Sequence, residues 1–185
     1  MQNPQEQPKK PSLDVPYRAA QGYATCVTVF LHEGFGKRAL LGWPGVIAFV
    51  IVWAMSFADP VMGGFFWLWC LAFIGQCIDT QKRLTQGKAI HSRYQGFPKL
   101  AMKLFRCRKE NVARTLEIPL VCGLGMALAY LSEALGVFLI GGGVAMGFVR
   151  MMDHQAAYQA VQRIADAQVE AEVMNEYVRG ERDDF

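Results

Sequence analysis

The chain has 185 residues, of which 52% are hydrophobic, and its formal net charge is +3. The length is enough for one domain, but the apolar residues are clustered in long blocks and do not recur at the spacing of one helix or strand face. One block, residues 39–58, contains no charged residue at all. These features exclude an ordinary soluble domain and predict an all-α integral membrane protein.

Residues 1–16 are polar and contain several prolines. Their apolar content is too low for independent folding, so we expect a disordered cytoplasmic leader. The first apolar block begins about forty residues from the N-terminus, much later than in a secretory signal, and we expect no cleaved signal peptide.

Residues 17–38 are mixed in character and carry apolar side chains at roughly helical spacing. This pattern predicts a juxtamembrane helix. The helix can lie on the membrane surface, with Lys37 and Arg38 at the headgroups, or it can pack under the transmembrane bundle. The sequence does not rank these two placements.

Residues 39–79 predict a first transmembrane hairpin. The segment 39–57 has about 19 residues, enough to cross a hydrocarbon layer of roughly 30 Å at 1.5 Å per residue. Asp59 and Pro60 then break the helix, because proline cannot continue the hydrogen-bond ladder and aspartate favours a turn. The chain returns as a second span at 61–78.

Residues 80–117 form a basic loop that holds ten of the nineteen Lys and Arg residues. Between 98 and 117, apolar and basic residues favour opposite faces, which predicts an amphipathic cytoplasmic helix on anionic lipid. The residues expected at the lipid headgroups are Lys99, Lys103, Arg106 and Lys109. Nucleic acid is the rival partner for these charges, but no aromatic pattern or motif supports it, so no nucleic-acid binding is expected.

Residues 118–152 are too long for one span, and Ser132, Glu133 and Gly136 divide them into two segments of about 17 residues each. They predict a second transmembrane hairpin, with a shallow re-entrant hairpin as the alternative. Pro119 is expected in the first turn of the third span, where its missing N–H costs little. Small residues that would allow close helix packing are Gly123, Gly125, Ala127, Ala129, Gly143 and Gly147.

Residues 153–185 predict a cytoplasmic acidic helix, continuing from the fourth span and ending at Gly180, followed by a tail. This region carries three basic and eight acidic residues, a formal charge of −5. The basic loop carries ten basic and two acidic residues, a formal charge of +8. The two regions could pair within one chain, pair between chains, or stay separately solvated.

The distribution of basic residues predicts the topology. If both hairpins enter from the same side, the far loops contain Asp59 and Glu133 but no Lys or Arg, and all nineteen basic residues lie on the other side. By the positive-inside rule this predicts four transmembrane helices with both termini cytoplasmic. The expected location is a bacterial inner membrane.

The sequence contains no pattern of a metal-binding, nucleophilic or phosphate-binding site. The histidines, His32, His91 and His154, fall outside the predicted spans, which disfavours a haem-binding bundle. The protein is therefore expected not to be an enzyme and to bind no cofactor and no metal.

The favoured function is a non-enzymatic structural subunit of a larger membrane complex. Its expected partners are anionic lipids and either other membrane subunits or further copies of the chain; secretion or conjugation machinery is one example, without a motif to support it. One alternative is a small oligomeric transporter or channel, in which Gln76, Asp79 or Glu133 faces an aqueous cavity. Another is a membrane-shaping hairpin protein.

Overall fold

A computed structural model describes residues 14–86, 96–106 and 109–179, and most of these residues are helical. The helices are α1 (Asp14–Leu31), α2 (Lys37–Leu40), α3 (Trp43–Met55), α4 (Pro60–Thr85), α5 (Lys99–Phe105), α6 (Glu110–Leu128) and α7 (Glu133–Val178). The described ranges contain no strand, although Glu33 and Phe97 make an isolated antiparallel bridge. The prediction of an all-helical protein is confirmed.

The chain divides into two compact units, residues 1–149 and 150–185. The second unit contains the later part of α7. Several predicted features lie outside the described residues: 1–13 of the leader, 87–95 and 107–108 of the basic loop, and 180–185, which include the expected helix end at Gly180.

Two helices, α4 and α7, are long and apolar enough to cross a membrane, and the four predicted spans are not confirmed. α3 has 13 residues, a length of about 20 Å, whereas the hydrocarbon layer is roughly 30 Å thick. α6 has 19 residues, but Glu110, Arg114 and Glu117 occupy its first half. By length and composition, the structure therefore contains two candidate membrane-spanning helices among the described residues.

α4 exposes several large apolar side chains. Trp67 and Leu71 are each 70% exposed, and Leu68 and Ile74 are also more than half exposed. A core helix of a soluble protein would bury such residues, and a contiguous exposed apolar surface of this kind marks contact with lipid or with another protein. The exposure agrees with a membrane helix.

The predicted first span is interrupted near its start. α2 ends at Leu40, and α3 begins only at Trp43, with Pro44 in its first turn. Gly45 lies directly against the carbonyl oxygen of Leu40, so close that a Cβ at this position would overlap it. The sharp turn between α2 and α3 depends on this contact, which the apolar composition does not reveal.

The second hairpin turns where the sequence predicts the break. α6 ends at Leu128, residues 129–132 form the turn, and α7 begins at Glu133. The prediction that Pro119 lies in the first turn of its helix is wrong. α6 begins at Glu110, so Pro119 lies inside the helix.

A polar contact joins the turns of the two hairpins. The hydroxyl of Ser132 donates a hydrogen bond to Asp59 Oδ2 and accepts one from the N–H of Leu135 at 3.1 Å. Asp59 also accepts from the N–H of Met62 at 2.9 Å, which caps the start of α4. The hydrogen bond from Ser132, followed by the one from Met62, holds the pKa of the Asp59 carboxyl below its ordinary value. Both turns therefore lie at the same end of the bundle.

α1 is enclosed by other helices. The indole N–H of Trp69 in α4 donates to the carbonyl of Cys26 at 3.0 Å, and the hydroxyl of Tyr23 donates to the carbonyl of Phe138 in α7 at 2.9 Å. Residues 24–29 are all buried. Of the two placements that the sequence left open, this burial agrees with a helix packed in the bundle and not with one lying on a membrane surface.

The small residues predicted to pack do not all do so. A Cβ on Gly125 would lie 2.9 Å from the carbonyl oxygen of Gly136, and one on Gly143 would lie 2.6 Å from Cys122 Sγ. Ala129 packs against Gly136, which the sequence prediction did not select. The other three predicted positions are not tightly packed: a Cβ on Gly123 would meet open space, a Cβ on Gly147 would be in ordinary contact with Ile118, and Ala127 is exposed.

We expect Gly125→Ala to lower the free energy of unfolding by about 1–3 kcal/mol, because the backbone of Gly136 must move to admit the new methyl group. Gly123→Ala is the matched control in the same helix. It meets open space and should be neutral or stabilising by up to about 1 kcal/mol. Thermal unfolding in detergent, followed by tryptophan fluorescence, measures both, and equal shifts for the two variants would contradict the observed α6–α7 packing.

Candidate functional site

A buried contact between two ionisable side chains joins His32, just after α1, to Glu117 in α6. His32 Nε2 lies 2.7 Å from Glu117 Oε2, and the two side chains are 3% and 1% exposed. Glu117 stands where α6 changes from charged to apolar sequence. A carboxylate is almost never buried in this way unless it is paired.

One proton lies in the contact between the two side chains. His32 donates it when Nε2 carries the proton, so the direction of the hydrogen bond follows the tautomer of the ring. The second oxygen of Glu117, Oε1, is buried and has no hydrogen-bond partner within the described ranges. The carboxyl therefore depends on His32 for its hydrogen bonding, and the loss of His32 would leave it buried and unsatisfied.

Side chains of α4 satisfy the carbonyl groups at the end of α1. Gln76 Nε2 donates to the carbonyl of His32 at 2.8 Å and to that of Val29 at 3.2 Å. Thr80 Oγ1 donates to the carbonyl of Phe35 at 3.3 Å. The last carbonyls of a helix have no partner within the helix, so Gln76 acts here as a helix cap.

The segment just before α5 is fixed to the same place. Glu33 and Phe97 exchange two backbone hydrogen bonds of 3.0 and 2.7 Å, and Lys99 Nζ lies 2.6 Å from Glu33 Oε1. Arg114 in α6 donates to the carbonyl of Gly96 at 2.7 Å. Residues 32–36 thus bind α4, α6 and the start of α5, and we call residues 32–36 with these partners the polar junction.

Gly96 is required at this junction. Its φ of +86° is in the left-handed region, and a Cβ would lie 2.9 Å from the Cβ of His32. Both its conformation and its contact with His32 therefore favour glycine.

The three residues expected to line a transport path do not converge. Gln76 caps α1, and Asp79 accepts a hydrogen bond of 2.7 Å from Arg83 Nε one turn later. Glu133 is exposed at the first turn of α7, beside the turn that binds Asp59. Gln76 lies 16 residues along α4 from its start, or about 24 Å from that turn.

The residues expected at lipid headgroups are exposed on and beside α5, but the predicted helix from 98 to 117 is divided. α5 ends at Phe105, and Arg106 adopts a left-handed conformation with φ of 49° before α6 begins. Ala101 faces the protein, whereas Leu100 and Leu104 are 48% and 62% exposed. We call the exposed residues here the α5 surface: Phe97, Leu100, Leu104, Lys99, Lys103, Arg106 and Lys109.

The second unit carries an uncovered apolar surface. Its described part, residues 150–179, is almost entirely exposed, with Val161 at 65% and Val169 at 59%. The apolar residues that recur along this helix form what we call the C-terminal stripe: Tyr158, Val161, Ala165, Val169, Val173 and Tyr177. Acidic residues lie beside the stripe at Asp166, Glu170, Glu172 and Glu176.

No group of three or more His, Cys, Asp or Glu side chains that could hold a metal ion occurs among the described residues. Sequence analysis did not select His32 or Glu117, because neither lies in a motif and they are 85 positions apart. Of the two residues, only Glu117 has a sequence feature that could have indicated it: it is the last charged residue before the apolar half of α6.

We expect Glu117→Ala to lower the free energy of unfolding by about 3 kcal/mol, because it removes the carboxylate from its buried contact with His32. Glu33→Ala is the matched control: it removes an exposed ion pair with Lys99 and should cost less than about 1 kcal/mol. Glu117→Gln retains an acceptor for His32 and should fall between the two. Unfolding midpoints in detergent check this order, and comparable losses for the alanine variants at 117 and 33 would refute a stabilising role for the buried pair.

Comparison of the chain with protein families, with curated proteins and with solved structures finds no match. The function is therefore inferred from the molecule's own surfaces. Two features are candidates for it. One is the polar junction, whose groups bond mainly to one another. The other is the C-terminal stripe, whose apolar side chains are exposed except for the half-buried Val173.

Proposed function

We propose that the chain is a non-enzymatic structural subunit of a larger membrane assembly, and that the C-terminal stripe is the element that docks. The observation that carries the proposal is the exposure of this stripe along the described part of the second unit. An amphipathic helix gains most of its stability from packing its apolar face, which needs a partner surface.

The spacing of the stripe indicates the kind of partner. From Val161 to Tyr177 its members are four residues apart. Such a row forms one ridge of a helix, and ridges of this type pack against a second helix at about −50°. A partner that offers a helical surface with apolar residues at the same spacing would therefore fit.

The contacts inside the bundle support a structural role over transport. Gln76 and Thr80 donate to carbonyls around the end of α1, and Asp79 is paired with Arg83. These groups serve the fold, and along α4 they do not form a row of polar groups open to a passing solute. A transporter would need such a row on a path through the bundle.

We expect Val169→Asp to weaken association with the partner more than about tenfold, because the new carboxylate would be buried in an apolar contact. Ala167→Asp is the matched control, since it adds the same charge to the same helix about 200° away around the axis. Native mass spectrometry of the tagged protein, extracted from its own membrane in mild detergent, measures both. A wild-type protein that is a clean monomer without partners would overturn the proposed function.

The proposed topology has both termini in the cytoplasm of a bacterial cell and four membrane crossings, with α3 and α6 as short crossings beside α4 and α7. Its support is the absence of Lys and Arg from residues 56–60 and 129–136 and the contact between Asp59 and Ser132, which puts both turns at one end. In this arrangement α1 runs toward the cytoplasmic side: Tyr23 donates to the carbonyl of Phe138 near the outer turns, and the carbonyl of His32 accepts from Gln76 at the cytoplasmic end.

In single-cysteine variants we expect Tyr130→Cys, at a turn position that is 97% exposed, to react with a membrane-impermeant thiol reagent in intact cells. Cys107, in the basic loop, should react only after the inner face is opened. Epitope tags at both ends should likewise resist protease until lysis. Cleavage of the N-terminal tag alone from outside would contradict the topology and would mean that α1 crosses the bilayer.

A further inference from the structure

We propose that the C-terminal stripe of one copy docks on the α5 surface of a second copy, so that copies join head to tail. The inference rests on the proposed function, because it names the partner of the same stripe. Both surfaces are exposed in the chain: Leu104 of the α5 surface is 62% exposed and Val169 of the stripe is 59% exposed.

The two surfaces match in shape. Leu100 and Leu104 are four residues apart on α5, as are Val169 and Val173 on α7. Rows of side chains with this spacing pack into one another when two helices cross. The apolar centres of the two surfaces can therefore interdigitate.

The two surfaces are opposite in charge. Lys103 is exposed on α5 next to Leu104 in sequence, and Lys109 is exposed directly before α6. Asp166 and Glu172 lie three residues before and after Val169, about 60° to either side of it on the helix. Docking places a basic rim against an acidic rim, which favours this pairing over others.

The same charges disfavour two other partners for the stripe, a second stripe and an anionic lipid surface. If two copies paired stripe to stripe, Asp166 and Glu172 of one copy would face acidic residues of the other, and like charges in contact are unfavourable. An anionic lipid surface would repel the stripe for the same reason. A basic, apolar partner remains, and the α5 surface has this chemistry.

The α5 surface is also held in place before any partner binds. The hydrogen bonds of Glu33 with Phe97 and of Arg114 with Gly96 fix the chain just before α5, and Ala101 is fully buried beneath it. A surface already held in place loses little conformational freedom on binding.

A head-to-tail contact has a structural consequence. The two surfaces differ, so each copy keeps one free surface after pairing, and further copies can add. The assembly closes into a ring if the rotation between copies allows it and otherwise extends as a filament. A closed two-fold dimer is not the expected product.

Charge reversal tests the proposal in the full-length protein. The first variant carries Lys103→Glu and Lys109→Glu, and the second carries Asp166→Lys and Glu172→Lys. None of these four residues belongs to the polar junction. Each variant alone should associate about 100-fold or more weakly than wild type, because like charges then face each other.

Mixing distinguishes pairing between chains from an effect on the fold. An equimolar mixture of the two variants should recover association, since the acidic stripe of the first meets the intact α5 surface of the second. A variant with all four reversals should assemble alone, and its net charge equals that of wild type. Native mass spectrometry in a zwitterionic detergent provides the measurement. Failure of both the mixture and the four-fold variant to recover would overturn the head-to-tail contact.

Anionic lipid is the competing ligand of the α5 surface. If Lys103→Glu with Lys109→Glu removed bound phosphatidylglycerol but left association unchanged, the surface would be a lipid site and the inference would fall. Stoichiometric capture of other subunits, with no effect of any reversal, would likewise overturn the inference and leave the proposed function standing. If the wild-type protein were a monomer without partners, both the head-to-tail contact and the proposed function would be wrong.

Discussion

The buried contact between His32 and Glu117 secures the end of the helix around which the bundle is packed. α1 meets α3 where Gly22 admits the side chain of Ile47 and meets α4 at the indole of Trp69. Without His32, the Glu117 carboxylate would be a buried charge with no hydrogen bond among the described residues, in a medium of low dielectric constant. The position of α1, and with it the contacts of α3 and α4, therefore depends on both members being present together.

The polar groups at this end of the bundle follow from the same constraint. A helix that ends inside a protein leaves its last carbonyls without partners within the helix. Gln76 in α4 supplies a donor to the carbonyls of Val29 and His32, and Thr80 donates to Phe35 in the segment that follows α1. Gln76, which by its position in α4 was a candidate transport residue, thus binds the end of α1.

Local patterns predicted the parts of the fold that depend on local chemistry. The second span became α4, and the break near Ser132 became the turn before α7, because long apolar runs and turn residues act over a few positions. The enclosure of α1 was not predicted, since its mixed composition suits a surface helix and a packed helix equally. The pairing of His32 with Glu117 joins positions 85 residues apart, and no spacing in one sequence reveals such a contact.

The polar junction and the proposed docking contact are linked through α5. Glu33 binds Phe97 through two backbone hydrogen bonds, one residue after His32 binds Glu117. The orientation of the α5 surface therefore depends on the burial of α1. In a head-to-tail assembly, a copy whose α1 is not packed in the bundle would have a displaced α5 surface. That surface would not bind the stripe of the next copy. Correct packing of each bundle would then be a condition for adding the next copy, because docking needs a surface that is held in place before contact.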